Sequence, residues 1–339
     1  MSELRQDKTT GAWVVISPSR GRRPSDSPTG GCTPYSARSF DPACPFCPGH
    51  EAELPGIFAE TPASEAPGWW VRVVPNKYPA VRSDTTATSP ADSSHMIVGG
   101  YGQHEVVIES PRHDDDLASM SDEQRDAVIS IYHRRYRHLI ADAQVESVIL
   151  FRNHGRAGGA SLRHPHAQLI ALGMIPPRLQ SMIAWAGRCY SGTRRCVTCD
   201  EIAFERSDQQ RIIEETESFL ALVPFAATVP CEIWLVPKRH EASFAAMDQG
   251  ECSDLGKLLR RSLQRLDAVH GAPPYNLIVD SAGRSDQDSA AFHWRLRIVP
   301  DLVTWGGFER GTDLPINPSL PEQDAALLRA AAMPEGLVR

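Results

Sequence analysis

The residues with the clearest capacity for chemistry lie together in Asn153-His154-Gly155-Arg156-Ala157-Gly158-Gly159-Ala160-Ser161-Leu162-Arg163-His164-Pro165-His166-Ala167-Gln168. Three glycines separate one apolar run, Val148-Ile149-Leu150-Phe151, from a His-Pro-His that opens a second, Leu169-Ile170-Ala171-Leu172. Glycines between two strands let the backbone approach a bound group and offer it N–H donors. In extended backbone the side-chain period is two, so His164 and His166 share a face. Two imidazoles beside an amide (Gln168) and a hydroxyl (Ser161) read as a site; the alternative is a glycine-rich hairpin carrying two satisfied histidines.

Two C-x-x-C pairs, Cys44-Pro45-Phe46-Cys47 and Cys196-Val197-Thr198-Cys199, offer a second chemistry. Zinc takes four ligands tetrahedrally from thiolates and imidazoles, and one C-x-x-C turn supplies two of them. His113 and His164 follow the first pair, and His240 and His293 follow the second in the same order. All four positions at each site are then filled by protein, which is the pattern of a structural zinc without an open position for water. Redox pairing is the other use of C-x-x-C, but no thioredoxin-like β-α-β pattern surrounds either pair. Cys32, Cys189, Cys231 and Cys252 stand alone and are expected to be bystanders.

The elements that must hold these residues read as an α+β chain that runs through its pattern twice. Short apolar strands are expected within 11–18, over 69–75, over 99–110 and over 148–151. A helix is expected over 121–141, with Ser121 as N-cap, Asp122 and Glu123 in its first turn, and Val128, Ile131, Tyr132, Tyr136 and Leu139 as its apolar face. Residues 25–43 and 54–68, rich in Ser, Pro, Gly or Ala, read as loops. Phe219 to Ala226 then echoes 71–80, Glu232 to His240 echoes 105–113, a helix from Gln249 to Val269 echoes 121–141, Asn276 to Asp280 echoes 148–153, and Phe292 to Val299 echoes 164–171. The second copy carries Arg295 where the first has His166, and no glycine-rich loop precedes it. A last helix is expected from Glu322 to Ala332.

The composition, 41% hydrophobic and 23% charged, is that of a globular protein with ample core, and no apolar run approaches the length of a membrane span. A net charge of −7 argues against general affinity for nucleic acid or for an anionic membrane. The opening, Met1-Ser2-Glu3-Leu4-Arg5-Gln6-Asp7-Lys8, has no segment of signal-peptide type, so a cytoplasmic location is expected.

The pattern N-x-G-x-x-x-G-x-S-x-x-H-P-H-x-Q over 153–168 resembles the signature of the galactose-1-phosphate uridylyltransferases, the nucleotidyl-transferring branch of the histidine-triad superfamily. The resemblance runs from about residue 4 to 332. It implies two tandem histidine-triad-like domains, 1–180 with nucleophile and first zinc and 181–339 degenerate with the second, each a mostly antiparallel sheet under a long helix. It implies that His166 attacks the α-phosphorus of a nucleoside diphosphate sugar and carries the nucleotidyl group between two displacements. Gln168 then serves a non-bridging oxygen, Ser161 and Asn153 the β-phosphate, and the amides near Gly158 and Gly159 the developing charge.

The same resemblance places Arg20 and Arg23, in Ser17-Pro18-Ser19-Arg20-Gly21-Arg22-Arg23-Pro24, near the phosphates, where guanidinium forks bind oxygens bidentately. It places Phe46, Asn76 and Tyr78 at the base and ribose, and Phe308 and Glu309 at the sugar, reaching across a homodimer into the partner's site. Zinc has precedent at the first cluster, and at the second in the ADP-glucose phosphorylase-like branch. Cys-Pro-Phe-Cys, the second C-x-x-C and Gly-Gly-Phe-Glu-Arg-Gly-Thr lean toward that branch. The expected donor and acceptor are UDP-glucose and galactose 1-phosphate. The alternatives are ADP-glucose with inorganic phosphate, or a nucleotide-binding zinc protein without turnover.

Overall fold

The computed structural model describes residues 2–22, 38–63, 68–85 and 99–332. Arg23 and Cys32 lie outside the described residues. A small sheet near the N-terminus pairs β1 (Glu3–Gln6) and β2 (Trp13–Ile16) antiparallel. The main sheet begins with β3 (Ala59–Pro62), β4 (Trp69–Pro75), β5 (Gly102–Ile108), β6 (Ser147–His154) and β7 (His166–Leu172). It continues with β8 (Ile212–Glu215), β9 (Phe219–Leu222), β10 (Ile233–Pro237), β11 (Tyr275–Asp280) and β12 (Arg295–Pro300). A two-residue strand, β13 (Ile316–Asn317), lies parallel to β2 in the small sheet.

The spatial order of the ten main strands is β3-β4-β5-β7-β6-β11-β12-β10-β9-β8, and every neighbouring pair is antiparallel. Read inward from either edge, the order of the first five strands repeats in the second five, which is the duplication seen in the sequence. The halves meet at β6 and β11, with Asn276 opposite Asn153 and Tyr275 opposite His154. Two units of the same α+β pattern thus join edge to edge in one sheet, which removes two exposed strand edges.

Helices α1 (Asp122–Ile140) and α4 (Gln249–His270) lie side by side on one face. The Ser121 hydroxyl accepts from the Gln124 amide, and Val128, Ile131, Tyr132, Tyr136 and Leu139 are buried as their spacing predicts. Asp248 and Glu251 close a capping box at the start of α4, and Gly271, at φ +70°, ends it in the left-handed conformation. Leu255, Leu258, Leu259, Leu263 and Leu266 of α4 join the α1 face and the inner sheet residues in a single core that spans both halves. No described helix is long and apolar enough to cross a membrane.

Opposed residues on antiparallel strands share a face. Val107, Ala167 and Leu169 therefore point into the helical core, while Ile108 opposite His166 and Val106 opposite Gln168 look the other way. That open face carries the site. The loop expected at 54–68 contains β3, which pairs with β4 as the sheet edge. Between the halves α2 (Pro177–Thr193) and α3 (Val197–Asp208) form, followed by the one-turn α5 (Gly307–Thr312) and by α6 (Pro321–Ala330) near the C-terminus.

Beneath the site end of the sheet the guanidinium of Arg152 is fully buried. It donates to Glu109 at 2.9 Å, to the Tyr275 hydroxyl at 2.7 Å and to Asp116 at 3.1 Å. Tyr132 on α1 donates to the same Glu109 carboxylate, and His154 stacks on Tyr275. The cluster joins β6 of the first half, β11 of the second and α1. Arg152→Ala leaves Glu109 as an uncompensated buried charge, and the expected loss of stability is about 3–5 kcal/mol. A lowered urea midpoint by circular dichroism checks this; an unchanged midpoint would show that the pair adds nothing to stability.

Candidate active site and metal centres

Cys44 and Cys47 sit on one turn, closed by the Cys47 amide donating to the Cys44 carbonyl. His113 arrives from the segment after β5, and His164 from the residue pair that precedes β7. The four side chains are buried and their ligand atoms all lie within 4.8 Å of one another. Cys47 Sγ is 3.6 Å from both His113 Nδ1 and His164 Nδ1, and Cys44 Sγ is 3.7 Å from His164 Nδ1. A tetrahedral zinc with its usual bond lengths sets sulfur and nitrogen about 3.6 Å apart, so the donors match that ion in kind and spacing. His164 Nε2–H donates to the Ser110 carbonyl at 2.7 Å, which turns the Nδ1 lone pair toward the thiols. Burial pushes the Cys44 thiol up to about 11 and the His164 imidazole down to about 4. Uncharged donors are thus gathered where a dication would draw out thiolates.

The second cluster repeats the scheme. Cys199 Sγ is 3.4 Å from His240 Nδ1 and 3.5 Å from His293 Nδ1. His293 Nε2–H donates to the carbonyl of Pro237, the last residue of β10, and His240 Nε2–H to that of Ser289. With Cys196 these residues form the other group of metal-ligand geometry among the described residues.

His166 opens β7 at 7% exposure. Its Nδ1 lies 2.8 Å from the His164 carbonyl oxygen, which places the ring proton on Nδ1. Nε2 makes no hydrogen bond to any described residue, and the residue lies on the sheet face away from the helical core. Burial holds the imidazole below its ordinary value, partly offset by the His164 carbonyl and by the Glu109 charge. Such a ring is neutral near pH 7 and has one nucleophilic nitrogen. The Phe46 ring stands edge-on, its centroid 5.4 Å from that of His166 and 6.0 Å from that of His164.

Two positions along β7, the Gln168 side chain shares the face of His166. Its Oε1 accepts from His104 Nε2–H at 2.8 Å and from Asn76 Nδ2 at 3.4 Å. Asn76 is itself oriented by the Tyr78 amide, which donates to Asn76 Oδ1. The Gln168 carbonyl is thus taken, and its amide NH2 is left to donate toward the site.

The glycine-rich loop is shaped from both halves. Gly158 packs so closely that a Cβ there would lie 2.4 Å from the His154 carbonyl and 2.9 Å from that of Tyr275. Asn276 of β11 donates to Asn153 Oδ1 at 2.9 Å and to the Gly158 carbonyl at 2.7 Å. The amides of Gly159 and Ala160 donate inside the loop, to Arg156 and Gly155. They shape the turn.

The remaining expected residues are less gathered. Ser161 and Arg20 are exposed, Tyr78 is 83% exposed and Phe308 is half-exposed. Glu309 is buried, its carboxylate accepting from the Gly306 amide as the cap of α5. Three site residues escaped the sequence reading: His104, Asn276 and Arg152. A polar residue within the apolar run of each strand was the available signal.

A buried imidazole with one nitrogen fixed and the other free, beside an oriented amide and a close-packed glycine loop, suits a nucleotidyltransferase built on a duplicated α+β fold. The chain belongs to the galactose-1-phosphate uridyl transferase family, matching its N-terminal domain over residues 1–176 and its C-terminal domain over 188–305. It is 34% identical to an ADP-glucose phosphorylase of Arabidopsis thaliana over 98% of this chain and 93% of that one. It is 28% identical to a galactose-1-phosphate uridylyltransferase of Thermotoga maritima over 97% and 98% of the two chains. Among solved structures, the Arabidopsis ADP-glucose phosphorylase with bound ADP-glucose superposes with a TM-score of 0.85 at 32% identity, covering 98% of this chain and all of that one.

Gly158→Ala drives a methyl into two carbonyls and is expected to cost about 1–3 kcal/mol of stability. It should also displace the loop, so that nucleotide-sugar turnover falls more than melting temperature alone accounts for. Wild-type turnover in that variant would show that the loop relaxes freely.

Proposed function

We propose that the chain transfers a nucleotidyl group from a nucleoside diphosphate sugar to a phosphate-bearing acceptor by way of a covalent nucleotidyl-histidine at His166. The observation that carries this reading is the bond from His166 Nδ1–H to the His164 carbonyl, which leaves Nε2 as a free lone pair. Nε2 attacks the α-phosphorus, the bond to the bridging oxygen breaks, and sugar 1-phosphate departs with that electron pair. The ring is then substituted at Nε2 and protonated at Nδ1, so it carries a positive charge that the His164 carbonyl partly neutralises. An acceptor phosphate oxygen attacks the same phosphorus from the vacated side, the P–N bond breaks, and neutral His166 returns.

The Gln168 NH2 donates to a non-bridging oxygen as charge builds there, and Asn153 and Ser161 hold the β-phosphate. Arg20 and Arg23 add positive charge at the phosphates, Phe46, Asn76 and Tyr78 line the nucleotide, and the Phe308–Glu309 segment contacts sugar in a partner subunit of a homodimer. Zinc at both clusters is structural in this scheme, the first holding His164 and so the carbonyl on which His166 rests. Seven described cysteines, all free thiols, suit a reducing cytoplasm.

UDP-glucose with galactose 1-phosphate is the pair we assign, in line with the family and its uridylyltransferase members. A second reading, ADP-glucose with inorganic phosphate, is favoured by the 34% identity to a plant ADP-glucose phosphorylase across nearly the whole chain. Intact-protein mass spectrometry after brief mixing with each donor separates them. A UMP-sized adduct, absent in His166→Ala, supports the first, and an AMP-sized adduct the second. Lack of any adduct with both donors, when both bind, overturns the covalent mechanism.

Metal analysis of the purified protein should give about two zinc per chain, falling to about one in Cys199→Ala with the His166 adduct retained. In Cys47→Ala, both the first zinc and rapid adduct formation should be lost. A wild-type adduct rate in zinc-free Cys47→Ala would remove the metal from any part in placing His166.

A further inference from the structure

His104 lies on β5 opposite Ile170, diagonal to Gln168 and on the face that carries His166. Both ring nitrogens are engaged by protein. Nδ1 accepts from the Ala80 amide at 3.1 Å, so the proton sits on Nε2, and Nε2–H donates to Gln168 Oε1 at 2.8 Å. Asn76 Nδ2 stands 3.1 Å from His104 Nε2, but Asn76 Oδ1 is fixed by the Tyr78 amide, so two donors converge on one acceptor. That acceptor therefore has to be the carbonyl end of the Gln168 amide. A flip of Gln168 would set its NH2 against two N–H donors.

We infer that His104 is a positioning residue for nucleotidyl transfer, acting through Gln168 by fixing the carbonyl inward and aiming the NH2 at the phosphorus that His166 attacks. The inference rests on the nucleotidyl-histidine reading above and concerns a residue that touches neither phosphate nor nucleophile. A neutral ring is required, because a proton on Nδ1 would face the Ala80 amide; half-burial lowers the basicity of the ring and favours that form. The second half repeats the arrangement with other chemistry. Arg297 lies opposite Trp234, and Glu232, two residues earlier and just before β10 begins, meets it diagonally at 3.7 Å. A polar cross-strand diagonal at this register is thus part of the duplicated frame, and the first half uses it to orient an amide.

The test is the rate of His166 nucleotidylation, followed by rapid-quench mass spectrometry with whichever of UDP-glucose or ADP-glucose labels the wild type. His104→Leu should slow adduct formation roughly 10- to 100-fold, because the Gln168 amide is then free to turn away. Donor Kd should change far less. His104→Gln, whose Oε1 can accept from Ala80 and whose NH2 can donate to Gln168, should recover most of the rate. In a Gln168→Ala background, His104→Leu should have almost no further effect. A wild-type rate in His104→Leu overturns the inference, and so does an undiminished effect of His104→Leu in the Gln168→Ala background. If the wild type binds both donors and forms no adduct, the nucleotidyl-histidine reading itself fails, a result distinct from either of these.

Discussion

The hydrogen bond from His166 Nδ1 to the carbonyl of His164 is the contact on which the site depends. It fixes the tautomer, and with it which nitrogen can attack. The carbonyl it uses belongs to a residue that has no freedom of its own, since the His164 ring is held at Nε2 by Ser110 and at Nδ1 by the two thiols. The backbone closes the same link, because the Glu109 amide donates to the carbonyl of Pro165. A metal at the thiols would therefore act on the chemistry mechanically, through one carbonyl. This explains why a site with all four positions filled by protein can lie beside a reaction centre without joining the reaction.

The duplicated frame carries different side chains at its matching positions, and in the proposed function only the first half reacts. Arg295 occupies the register of His166 in the second half, with its guanidinium over the Trp234 ring, 3.7 Å from the ring centroid, and bonded to Asp280 and Thr9. Asp280 also meets Arg297 and Arg178, so three cations converge on one carboxylate and hold it well below the usual range. A permanently charged side chain at the nucleophile's position is filled by protein and offers no lone pair. The second half still reaches the reaction, because Asn276 grips Asn153 and the Gly158 carbonyl across the β6–β11 seam. Fusion of the sheets lets an inert copy shape an active one.

What the sequence made legible was local or periodic. The α1 face and its Ser121 cap, the span of α4, the succession of strands along each half and the two Cys-Cys-His-His sets could be read because their signals recur at fixed spacing. The missed elements owe their form to distant partners. The α3 helix buries only Thr198, Ile202 and Glu205 on its inner side, and Glu205 is there because Arg211 meets it at 2.7 Å. Strand β13 exists because β2 lies beside it, and β3 because β4 does. Glu309 was read for a sugar from its motif, but a carboxylate three residues after Gly306 also meets the requirement of a helix start, and in the single chain that use prevails. His104 showed only as a polar residue ahead of an apolar run, since its role lies in a diagonal contact with a strand more than sixty residues away.

On the proposed route, the neutral state of His166 and the cationic state of its adduct make opposite demands on one pocket. Burial disfavours charge, which keeps the free imidazole unprotonated and its lone pair available. The same burial would penalise the nucleotidylated ring, whose two nitrogens are both substituted. The His164 carbonyl and the Glu109 charge counter that penalty, and both are already in place before donor arrives, so no dipole has to turn during the reaction. Arg152 works the other way, drawing Glu109 into a bonded pair and limiting how far the carboxylate can favour a protonated ring. A stronger negative field would protonate His166 and remove the nucleophile; a weaker one would leave the adduct too costly to form. The buried Arg152–Glu109 pair thus serves the core and, in the proposed reaction, also bears on the charge of His166.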